Sequence, residues 1–92
     1  MTYYRREYNI FGRVQGVGLR YTVKHLARAY GLTGWVRNEY DGSVTLALQG
    51  RRVEDFDLVI DGLQQDRFIR IEEIGYRNLE PVENERSFSV RY

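Results

Sequence analysis

An α+β sandwich, with one antiparallel sheet covered on a single face by two helices, is the fold class the sequence predicts, and three features predict it. Two stretches of helical periodicity stand between stretches whose polarity alternates with a period of two, so the elements run βαββαβ. The segment Glu39-Tyr40-Asp41-Gly42 separates the two middle strands with an Asp-Gly turn signal, which makes them a hairpin. The chain has 92 residues, 42% of them hydrophobic, enough for one two-layer core and not for a second, so residues 1–92 are expected to form a single domain.

In the opening segment Tyr4, Tyr8, Ile10 and Val14 share one parity and Arg5, Glu7, Asn9 and Arg13 the other, as in a strand with one buried face; Arg6 and Phe11 break the pattern. From Tyr21 the period changes. Val23, Leu26, Ala27 and Tyr30 follow the i, i+3, i+4, i+7 spacing of a helix, and Gly31 supplies its stop. Gly34 to Asn38 and Ser43 to Leu48 form the arms of the hairpin. Val53, Phe56, Val59, Ile60 and Leu63 mark a second amphipathic helix, with Arg51 and Arg52 poorly placed for its dipole but exposed to solvent. Phe68 to Arg77 reads as the next strand, Pro81 interrupts, and Phe88, Val90 and Tyr92 alternate as a short last strand. The eight tyrosines are expected to cover the seams of sheet and helices. This order of elements is that of a split βαβ, or ferredoxin-like, sandwich.

In that topology the first two strands run parallel with the third between them, so their carboxyl ends lie at one edge of the sheet, about 10 Å apart given the ~4.8 Å spacing of strands. The loop Gln15 to Arg20 thus becomes a neighbour of Asn38. Gly16 and Gly18 permit positive φ, and successive N–H groups in such a turn form a concave anion nest at the start of the following helix. No Ser, Asp or Asn stands just before Arg20 to cap that helix, so an oxyanion is expected to take the place of the cap. Arg20 adds planar, permanently charged donors matched to a pair of oxygens. The glycines are neither a dinucleotide fingerprint, which would need a third, nor a phosphate loop ending in Gly-Lys-Ser/Thr. A nucleotide is not indicated.

Lys and Arg number 14 against 13 Asp and Glu, a net charge of +1 that gives no broad field for nucleic acid or an anionic membrane. An aromatic sheet face could serve RNA, but no basic-aromatic strand motif accompanies the tyrosines. The absence of cysteine excludes disulfides and thiolate chemistry and suits a reducing cytoplasm. The opening segment lacks the pattern of a signal peptide, and no apolar run is long enough to span a bilayer. His25, the only histidine, lies off the apolar stripe, so it is read as exposed and neither a catalytic base nor part of a metal site.

Gly12-Arg13-Val14-Gln15-Gly16-Val17-Gly18-Leu19-Arg20-Tyr21, then Gly31-Leu32-Thr33-Gly34-Trp35-Val36-Arg37-Asn38 and Asp41-Gly42-Ser43-Val44, resemble the acylphosphatase family, and Phe88 to Tyr92 extends the likeness over most of the chain. The resemblance implies a cytoplasmic, monomeric enzyme that hydrolyses the carboxyl-phosphate anhydride of acyl phosphates without metal or organic cofactor, with inorganic phosphate as product and inhibitor. By matching position, Arg20 would bind the phosphate, Asn38 would orient the attacking water, and the loop Gln15, Gly16, Val17, Gly18 and Leu19 would supply the backbone cradle. Two departures stand out. Leu19 occupies a position where the family usually has Phe, and Gln64-Gln65-Asp66-Arg67 is shorter than the usual loop with Gly and Pro, in a region expected to lie away from the site. Glu39, next to Asn38, would oppose an anion if its side chain pointed inward. A binding module of the same fold that holds a small anion without turning it over is the alternative, and Asn38 is the residue such a module would not need.

Overall fold

The computed structural model describes residues 2–92. Its elements are β1 (Tyr4–Arg13), α1 (Leu19–Ala29), β2 (Thr33–Asn38), β3 (Val44–Gly50), α2 (Val53–Gln64), β4 (Arg70–Leu79) and β5 (Phe88–Arg91), and the five strands form one sheet in the order β4-β1-β3-β2-β5. β3 pairs antiparallel with both β1 and β2, so β1 and β2 run parallel and end at the same edge, as the topology predicted. β5 pairs parallel with the outer edge of β2, which makes the sheet mixed rather than antiparallel throughout.

The core is built from the alternation seen in the sequence. Tyr8, Ile10 and Val14 meet Val44, Leu46 and Leu48 of β3 and Val36 of β2, and the helices add Leu19, Val23, Ala27, Phe56, Val59 and Leu63. Removing these side chains from water supplies the main stabilisation, roughly 1.5–3 kcal/mol for each large one. Tyr30 departs from the expected stripe: it is the C-cap of α1 and exposed, because the chain has already turned toward Gly31 there. Of the tyrosines only Tyr8 is buried, while Tyr3, Tyr4, Tyr21, Tyr30, Tyr40, Tyr76 and Tyr92 are exposed, so aliphatic residues and Phe fill the seams instead. β4 begins two residues later than the polarity suggested. Asp66 Oδ1 accepts from the N–H groups of Phe68 (2.8 Å) and Ile69 (3.2 Å), which holds Phe68 in a turn with its ring in solvent.

The face of the sheet away from the helices is covered in part by the segment before β5. Arg5, on the polar parity of β1, is buried there, donating to Gln49 Oε1 and Glu85 Oε1 at 2.9 Å each. Gln49 in turn accepts from the Val82 N–H and donates to the Val82 carbonyl, and Thr33 donates to Glu85. This network satisfies a buried guanidinium that sequence parity alone placed in water. Among the described residues, no helix is long and apolar enough to cross a membrane.

Candidate active site

β1 leaves the sheet after Arg13, Val14 drops into the core, and the backbone turns through Gly16 (φ 72°) and Gly18 (φ 83°) before α1 begins. Both glycines are left-handed, a conformation that costs other residues about 1 kcal/mol or more, so the loop shape depends on them. Gly18 is the N-cap of α1, no side chain caps that end, and the first turn carries no acidic residue. The first N–H groups of the helix therefore face the loop with neither an acceptor side chain nor an opposing charge. Leu19, the position of the first departure, is buried beneath them as part of the core.

Gln15 locks the loop in place. Its Nε2 donates to the carbonyl oxygens of Glu39 and Ser43, both at 2.8 Å, so its side chain is spent on fastening the loop to the β2–β3 hairpin. The hairpin is itself closed by the Glu39 N–H donating to the Ser43 carbonyl at 2.8 Å and by Asp41 Oδ1, which accepts from the Ser43 N–H (2.9 Å) and hydroxyl (2.6 Å).

A cavity of about 290 Å³ opens between the loop, the start of α1 and the end of β2, and Gly16, Gly18, Leu19, Arg20 and Asn38 all line it. Arg20 is in no ion pair among the described residues; its guanidinium lies 5.1 Å from the ring centre of Tyr92. Asn38 shares the parity of the buried Gly34 and Val36, which points its side chain to the helix side of the sheet. Its Oδ1 is buried without a hydrogen-bond partner among the described residues. Of the loop residues named from the sequence, Gln15 and Val17 are not among those lining this cavity: Gln15 is engaged with the hairpin, and Val17 faces a second cavity.

Val14, Tyr21, Lys24, Val90 and Tyr92 also line the site, and two of them, Lys24 and Tyr92, bring polar groups that sequence reasoning did not select. Lys24 is one turn beyond Arg20, a spacing that puts both on one helix face and was readable in advance. Tyr92 had no local signal, because it arrives through the parallel pairing of β5, whose Arg91 lies beside Arg37. Among the described residues, the charged side chains lining the cavity, Arg20 and Lys24, are both cationic.

Glu39 does not oppose that field. Its carboxylate turns to the other face of the sheet, where Oε2 accepts from the Thr45 hydroxyl and from Arg37 Nε (3.1 Å) and Nη2 (3.0 Å). The hydrogen bond from Thr45, reinforced by Arg37, holds its pKa below the ordinary glutamate value. The segment Gln64 to Arg67 requires a correction of the opposite kind. It lies beside the loop, since β4 pairs antiparallel with β1 and brings its first residues to the point where β1 ends; Gln64, Asp66 and Arg67 share a cavity with Val17.

These features define a ferredoxin-like α+β protein with a cationic cavity at the junction of a glycine loop and β2. The acylphosphatase family model matches residues 6–90. An acylphosphatase of Koribacter versatilis is 39% identical over 85 residues, covering 92% of this chain and 77% of the relative, and one of Clostridium acetobutylicum is 35% identical over 83 residues, covering 90% and 91%. Among solved structures, an acylphosphatase from Bacillus subtilis superposes with a TM-score of 0.86 at 28% identity, covering 97% of this chain and 99% of that one. Full-length HypF in a phosphate- and nucleotide-bound form also superposes at 0.86 with 30% identity, covering 99% of this chain and 12% of the far longer HypF. The chain belongs to the acylphosphatase family, a family of hydrolases.

Proposed function

We propose that this chain hydrolyses acyl phosphates at the cavity between Arg20 and Asn38, releasing a carboxylate and inorganic phosphate. The observation that carries the reading is the buried, unpartnered Oδ1 of Asn38 in the same cavity as an unpaired guanidinium. A buried acceptor left empty costs about 1–3 kcal/mol, and a water donating to it from the substrate side would recover that cost while being held for attack. The phosphoryl oxygens then lie against the loop N–H groups, the start of α1 and Arg20.

The bond between phosphorus and the bridging oxygen breaks, the water oxygen bonds to phosphorus, and the carboxylate departs as a weak base that needs no protonation. The proton of the attacking water passes to a phosphoryl oxygen. Catalysis consists of positioning and of following charge as it spreads over the equatorial oxygens, for which Arg20 and the loop are suited. A module that only held the anion would not require a water-positioning amide. A single chain supplies the loop, Arg20 and Asn38, so the reaction as proposed needs no group from a second copy, and the lack of cysteine fits a cytoplasmic setting.

Phosphate release from benzoyl phosphate, followed with and without a chelator, tests the reading. Turnover that is unaffected by the chelator and competitively inhibited by inorganic phosphate is expected. No release above the uncatalysed rate would overturn it.

A further inference from the structure

We infer that Arg13, Arg67 and Arg70 form a second oxyanion site, separate from the Arg20 cavity and divided from it by the loop. The three arginines line a cavity of about 360 Å³ together with Val17 and Asp66, whereas the flanking Gly16 and Gly18 line the Arg20 cavity. The proposed reaction gives these arginines no role.

The three arginines stand at exposed positions, two of them facing one another with like charge. Arg13 and Arg70 are direct partners across the antiparallel β1–β4 ladder, where like charges repel. The approach is enforced by Gly12: the ladder shifts register between Phe11 and Gly12, and a side chain on Gly12 would collide with the Arg70 carbonyl oxygen. Arg67 joins them from the turn before β4, its guanidinium 5.6 Å from the Phe68 ring centre. None of the three is in an ion pair among the described residues, although Arg5, Arg6, Arg37 and Arg77 each have one. The carboxylate in the cavity, Asp66, has one oxygen committed to the N–H groups of Phe68 and Ile69.

Three arginines lining one small cavity are matched to an oxyanion with multiple acceptors, the chemistry of inorganic phosphate or of a phosphate or carboxylate on a small molecule. Such an occupant relieves the repulsion between Arg13 and Arg70 and rests against Val17, between the two left-handed glycines that shape the active loop.

The intact chain titrated with inorganic phosphate at low ionic strength, followed by amide NMR shifts, tests the site without requiring turnover and so stands apart from the proposed reaction. Two responses with separate saturation are expected, one over Gly16 to Arg20 and one over Phe68 to Arg70. The double substitution Arg67→Gln, Arg70→Gln, and the single Arg67→Gln, should weaken the second response at least tenfold and leave the first in place. No separate response at Phe68 to Arg70 in the parent chain, or an equal one in the variants, would overturn the inference. Kinetics with benzoyl phosphate and 4-carboxybenzoyl phosphate assign the source: a KM ratio changed threefold or more by the double substitution places the distal group of the substrate in the site, and an unchanged ratio with the NMR response present makes it a site for free phosphate.

Discussion

The side-chain nitrogen of Gln15 donates to the main-chain carbonyl of Ser43 at 2.8 Å, and the same nitrogen reaches the Glu39 carbonyl at the same distance. One amide thus bridges the glycine loop to the two ends of the turn that follows Asn38, fixing the two halves of the cavity relative to one another.

Replacing Gln15 with Ala should lower stability by about 1–2 kcal/mol, because both carbonyls keep a second partner in the Gly42 and Glu39 N–H groups. Gln15→Glu should cost more, as a carboxylate presents acceptors to two acceptors. Thermal unfolding should show a midpoint lower by several degrees for Ala and lower again for Glu, and the phosphate inhibition constant should rise in the same order.

Arg20→Lys retains the charge but loses the planar pair of donors. The expected outcome is a fall in kcat/KM of at least tenfold, about 1.4 kcal/mol of transition-state stabilisation, with an unchanged circular dichroism spectrum. Kinetics equal to the parent would make this arginine a bystander.

Asn38→Ala separates positioning of water from holding of the anion. Turnover should fall roughly 100-fold or more, as when a positioned transition-state contact is lost, with little change in phosphate inhibition. A variant that lost phosphate affinity and kept its kcat would show Asn38 to be an anion ligand.

The depressed pKa of Glu39 carries a pH signature. Its ionised form is favoured in the folded state by Thr45 and Arg37, so the contribution is complete above the unfolded value near 4.5 and is lost as pH falls through the lower folded value. Urea unfolding between pH 6 and pH 3 should therefore show the stability gap between the parent chain and Glu39→Gln narrowing as the solution becomes acidic.

Most of the strand and helix order was legible because the core faces obey their periods: Ile10, Val23, Phe56 and Val59 are all buried where the pattern put them. The pairing of Arg20 with Asn38 across one cavity followed from topology, since parallel β1 and β2 must end together. What escaped was whatever depends on segments remote in sequence. The burial of Arg5 is decided by Glu85 and Gln49, and no property of β1 announces it. Tyr92 enters the site only because β5 adds to β2 in a particular register, and the arginines beside Val17 meet only because β4 closes on β1. Side-chain direction also outran the sequence: nothing in Asn38-Glu39 says which of the two turns into the cavity until the pleat is fixed.

The parallel pairing of β5 with β2 sets a condition on the order in which the molecule assembles. Gly34 meets Phe88 only after α2 and β4 have been laid down between them, so the closure is among the most distant in the chain and carries a large entropic cost before any contact offsets it. Until it forms, the strand that bears Asn38 is a bare edge, with unpaired N–H and C=O groups open to another chain. Were this one pairing lost, the strand that positions the water would be supported on one side alone and open to edge-to-edge association.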